Sequence, residues 1–148
     1  MLSVLLIGLS SLGCVVGTTA FAYFAFFAGN INAAAWGMIS AIFAAATLHV
    51  HILKFKRNLE EWYGPGELRD IIVLGQGACL VSFAGVVTYI FLAVDAKEGF
   101  TFQSTTFYPA VVFSALSVIW SLLLFISTRS FRRKMVLYPA LLSENWDS

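Results

Sequence analysis

Residues 71–94 read IIVLGQGACLVSFAGVVTYIFLAV, 24 positions without one Asp, Glu, Lys or Arg. A bilayer's hydrocarbon core is about 30 Å thick and a helix rises about 1.5 Å per residue, so about 20 apolar residues cross it. Lipid offers backbone groups no hydrogen-bond partners, and the stretch lacks the alternation of a barrel strand. It is therefore expected to be a transmembrane helix. Three further stretches, 4–28, 33–53 and 107–128, are equally free of those four residue types. The expected fold is an all-α integral membrane protein: one four-helix domain over residues 1–148, its tail at 129–148.

Composition agrees. The chain is 59 % hydrophobic and 11 % charged, with mean hydropathy +0.85, whereas soluble domains carry roughly 25 % charged residues. No Lys or Arg precedes the first stretch. It also exceeds the roughly 7–15 apolar residues of a signal peptide, so a retained helix is expected. Cys14 and Cys79 lie inside apolar runs without CxxC spacing. They are expected to be small buried hydrophobes rather than a disulfide or zinc pair.

Basic residues orient such a chain. Lys54, Lys56, Arg57 and Arg69 lie between spans two and three; Arg129, Arg132, Arg133 and Lys134 follow span four; Lys97 alone lies between spans three and four. With both termini cytoplasmic, eight cations face inside and one outside, which the positive-inside rule favours. Gly64-Pro65-Gly66 breaks any helix in the cytoplasmic loop, so span two is expected to continue as an amphipathic helix through Tyr63. Gly13 and Gly17 form a GxxxG that lets helices approach closely. "FAYFAFFAG" closes span one as an interfacial aromatic belt or as a flat wall for a planar ligand.

The spans hold little chemistry: His49, His51, Gln76, Tyr23, Tyr89, Trp120 and some Ser and Thr. No carboxylate lies in a span, which argues against a proton-coupled small multidrug antiporter. Paired carboxylates, a nucleophile with its base and a phosphate-binding glycine loop are all missing, so no enzymatic activity is expected. Polar side chains inside a membrane are nevertheless functional candidates by default.

Both histidines sit in "TLHVHILKFKR", residues 47–57. At about 100° per residue they point about 200° apart, so they do not chelate one metal. His51 shares a face with Lys54 and Phe55 and is expected at the headgroup interface. His49, about 3 Å deeper, has Ala45 and Ala46 beside it and is expected to have room in front of it. A neutral imidazole with such room suits an iron porphyrin as axial ligand, although an interfacial histidine bonded to a carbonyl or water explains the spacing as well. "RSFRRKM" is a stop-transfer flank by one reading. By the other it is an aromatic, cationic and thioether patch suited to haem iron and its carboxylates.

With these residues in view, the chain resembles the haem-responsive-gene family of four-helix haem transporters. The likeness rests on "LHVHILKFKRNLEEWY", "TYIFLAVDAKEGF" and "FYPAVVFSALSVIWSLLLFISTRSFRRK", and runs from span two into the tail. It implies haem import into the cytoplasm from the exoplasmic or endolysosomal lumen side, with haem as substrate and no tightly bound cofactor. His49 falls at the family's span-two ligand to haem iron, and His51 lies beside it. The family's tail motif FARKY stands here as Phe131-Arg132-Arg133-Lys134-Met135. Arg132 replaces an alanine and Met135 a tyrosine. The exoplasmic histidine of some members is missing; Lys97 lies near its place, with Tyr108 further on.

Tyr138 and Leu141 fit an adaptor-read Y-x-x-Φ sorting signal, followed by Leu142, so the endosome, lysosome or plasma membrane is the expected location. The expected partners are haem, the bilayer, a sorting adaptor and further copies of the chain as a homo-oligomer, with no nucleic acid. Two rival classes stay open: a non-transporting tetraspan adaptor or subunit of a larger complex, and a haem-binding sensor.

Overall fold

The computed structural model describes residues 2–56, 59–95 and 107–146, and their side chains except at 2, 3, 60, 65 and 138–146. Of the described residues 94 % are helical and none is in a strand. The elements are α1 (Leu2–Ala22), continued by a π turn over Tyr23–Phe27, α2 (Ile31–Phe55), the short α3 (Leu59–Trp62), α4 (Pro65–Asp95) and α5 (Tyr108–Trp146). Four segments are long and apolar enough to cross a membrane: Val4–Phe27, Ile31–Phe55, Gly66–Asp95 and Tyr108–Leu137. The chain is thus a four-helix, multi-pass membrane protein.

The four spans are not equivalent. The apolar windows of α2 and α5 are 39 % and 44 % buried, against 17 % for α1 and 11 % for α4. So α2 and α5 pack on each other at the centre, with α1 along α2 and α4 along α5. In lipid, helices associate through close packing and polar contacts rather than through hydrophobic burial. The sequence supplies the small residues this needs. A Cβ on Gly17 would stand 2.8 Å from both the Gly37 carbonyl oxygen and the Ala41 Cβ of α2. Gly13 faces the Trp120 ring of α5, and Gly75 of α4 lies against the Ser121 carbonyl and Phe125. The GxxxG is therefore used inside the bundle.

Buried hydroxyls add polar contacts. Ser117 donates to the Phe113 carbonyl at 3.0 Å and Ser121 to the Ser117 carbonyl at 2.7 Å, within α5. Thr47 of α2 donates to its own Phe43 carbonyl at 2.8 Å and leans toward the Trp120 carbonyl of α5 at 3.4 Å. Apolar side chains fill the rest in two clusters. One gathers Ala20, Phe24, Ala33, Ala34 and Phe113; the other gathers Val50, Leu53, Leu59, Leu68 and Leu124 at the opposite, basic end.

The aromatic end of α1 divides between the core and the surface. Phe24 is buried against Phe113, while Phe26 and Phe27 are 77 % and 83 % exposed. The Phe21–Phe26 and Tyr23–Phe24 pairs meet edge to face. The chain then reverses through Gly29, whose φ of 69° suits glycine. Asn30 caps α2 by accepting from the Ala33 N–H at 3.1 Å. Asn30→Ala should lower stability by about 1 kcal/mol, read as a lower midpoint of thermal unfolding in detergent. An unchanged midpoint would show that the cap is dispensable.

Two boundaries differ from expectation. α2 ends at Phe55 instead of running on through Tyr63, and α3 is a separate short turn. On a continuous helix Tyr63 would lie about 21 Å beyond His49; its hydroxyl is 3.1 Å from the imidazole. The chain therefore turns back, and Pro65 starts α4, where its fixed φ and missing N–H fit a first helical position. At the other boundary, α5 does not stop at 128. It continues without a break through the basic tail to Trp146.

Candidate functional site

The basic end of the bundle carries most of the chemistry, divided among three faces. On α2 the two histidines do point apart. His51 faces α5: its Nε2 is 3.0 Å from the Ser127 hydroxyl, and its ring meets Phe131 edge to face at 5.5 Å. It is 2 % exposed, and its buried Nδ1 has no hydrogen-bond partner. His51 is therefore packed against α5 rather than open to its surroundings. Both partners come from α5. Ser127 lies within the apolar stretch 107–128, and the helix continuing past 128 adds Phe131 on the same face. Lys54 does accompany it, with Nζ 5.5 Å from the Phe131 ring centre.

His49 points away from α5 and is exposed. Its room comes from this outward direction rather than from Ala45 and Ala46. The turn back at α3 sets two rings on it: Trp62 at 5.9 Å and 83°, and Tyr63 at 5.9 Å and 89°. Tyr63 also packs on the Val50–Leu53–Leu59–Leu68–Leu124 cluster, as do Phe131 and Met135 of the tail motif. Tyr63, which bonds His49, and the apolar half of the motif therefore border the same cluster.

The cationic half of the motif turns elsewhere. Arg132 and Arg133 line a groove between α4 and α5, together with Arg69 and Arg129. Lys134 is exposed. Tyr108 begins α5 at the aromatic end, about 40 Å along the helix from Met135, so the two do not share a site. Lys97 lies outside the described residues. Tyr138, Leu141 and Leu142 fall on α5, their side chains outside the described set. Among the described residues no three His, Cys, Asp or Glu side chains gather to hold a metal.

Three residues of this end escaped the sequence reading: Ser127, Trp62 and Tyr63. Ser127 was findable, because 127, 131 and 135 are spaced by four and share one helix face. Trp62 and Tyr63 were findable only as a consequence of the chain reversal before Pro65.

No protein-family model matches the chain, and no solved structure matches it. What stands is the class: a four-helix membrane protein with an outward-facing imidazole and a divided basic patch at one end.

Proposed function

We propose that this protein is a haem transporter of the haem-responsive-gene type, importing haem from the exoplasmic or endolysosomal lumen side into the cytoplasm. The observation that carries the reading is His49, an exposed imidazole with two aromatic rings set against it at the basic end. A porphyrin ligated through an imidazole nitrogen stands roughly perpendicular to that ring. Trp62 and Tyr63 are already near perpendicular to His49, an orientation that permits them to stack on such a ligand. Phe131 and Met135 offer an aromatic face and a thioether across the same cluster, a second station for iron. Lys54 and Lys134 supply cations for the two carboxylates of haem.

In this reading the basic end is cytoplasmic, as the positive-inside rule favours. Several weak ligands suit a carrier, since a transported substrate has to leave again. The tail signal at Tyr138, Leu141 and Leu142 would place the protein in endosomes or lysosomes through an adaptor, and a homo-oligomer would offer so large a substrate a wider path.

The test is rescue of a haem-auxotrophic cell at limiting external haem, with uptake of a fluorescent haem analogue measured in parallel. Expression should raise both growth and uptake. Correct membrane delivery with neither would overturn transport. Stable haem binding without flux into liposomes would assign the protein to the sensor class instead.

A further inference from the structure

We propose that the arginine groove between α4 and α5 is a binding site for the headgroup of an anionic phospholipid. Arg69 supplies the α4 wall, and Arg129, Arg132 and Arg133 the α5 wall. Positions 129, 132 and 133 are three and four apart, so they form one helix face. Two adjoining hollows of about 400 and 580 Å³ share Ile72, Arg129 and Arg132. Together they hold four permanent positive charges at the end of two membrane-spanning helices.

Several features select the occupant. Guanidinium groups pair with phosphate in a two-pronged geometry that ammonium groups lack. Basic pockets between transmembrane helices are a recurrent place for anionic headgroups. Here Ile72 and Phe125 line the groove beside the arginines, giving an acyl chain an apolar path toward the bilayer. Arg129 lies 6.0 Å from the Phe125 ring centre, which fixes one fork at the boundary between polar and apolar walls. Of the acids on this stretch of α4, Asp70 is exposed, and Glu67 accepts from the Gly64 N–H at 3.0 Å. The groove is on a different face from His49, so its ligand is separate from the haem of the proposed function.

The experiment is native mass spectrometry of the full chain released from mixed micelles of phosphatidylcholine and phosphatidylserine. Wild type should retain one phosphatidylserine per chain in preference to phosphatidylcholine. The double substitution Arg69→Gln, Arg129→Gln should weaken that retention roughly 25-fold, at roughly fivefold for each charge lost. Arg69→Lys with Arg129→Lys keeps the charge and loses the fork, and should fall between the two. Lys56→Gln, outside the groove, should retain phosphatidylserine as wild type does.

Equal retention of both lipids by wild type would overturn the proposal. So would an equal loss in Lys56→Gln, which would mean a diffuse basic field, or displacement by millimolar inorganic phosphate, which would mean a free-anion site. Haem absorption spectra of the double variant keep the two readings apart. An unchanged spectrum with lost phosphatidylserine supports the lipid site, whereas loss of haem binding along with the lipid would assign the groove to haem.

Discussion

Gly17→Leu should separate α1 from α2 and cost about 3 kcal/mol of stability. Its Cβ would meet backbone, namely the Gly37 carbonyl and the Ala41 N–H at 2.8 and 2.9 Å. A flexible side chain can swing away from a newcomer; two backbones in contact cannot, so the helices must part. Parting them forfeits the dispersion contacts along the whole seam, which in lipid no hydrophobic drive replaces. Gly17→Ala should show a smaller loss of the same sign. Gly8→Ala and Gly77→Ala are the controls, because nothing lies within 4 Å of a Cβ at either position. They should leave the thermal midpoint level or slightly raised, given alanine's better helix propensity. A wild-type midpoint in Gly17→Leu would show that α1 does not pack through this glycine.

The membrane architecture was legible because its signal is long. Each span runs for more than 20 residues without a charge, and without the alternation of a barrel strand only a helix satisfies its backbone in lipid. The GxxxG was legible as close approach, though its partner was not, since spacing within α1 says nothing about which helix presents Gly37 and Ala41. Short-range signals failed where tertiary contacts decide. The fourth span was ended at 128 because Arg129 begins a run of cations. A helix does not stop at a charge, and α5 continues with its arginines turned to the α4 groove and its Phe131 and Met135 turned to α2. That continuation sets Phe131 on His51. Likewise Gly64-Pro65-Gly66 marked a break, but not that the chain folds back before it and lays Trp62 and Tyr63 on His49. The separation of the two imidazoles followed from helix geometry alone. Which of them is buried depended on where a different helix packs.

The two histidines should therefore separate in experiment. Haem titration followed by absorption spectroscopy should show ligation in wild type and at least about tenfold weaker binding in His49→Ala, since even supporting residues around a metal commonly cost about 10–100-fold. His51→Ala should keep the ligated spectrum and lose stability instead, by about 2–4 kcal/mol. It removes the partner of the Ser127 hydroxyl and leaves a void beside Phe131. Tyr63→Phe tests which nitrogen is used. The Tyr63 hydroxyl stands 3.1 Å from His49 Nε2, so iron taking that nitrogen must displace it, at a cost of about 0.5–1.5 kcal/mol. Removing the hydroxyl while keeping the ring should tighten haem binding by about two- to tenfold. The reverse pattern, with ligation lost in His51→Ala and kept in His49→Ala, would move the iron to the buried imidazole. Its unpartnered Nδ1 would then become the ligand atom, and α2 and α5 would have to part to admit the porphyrin.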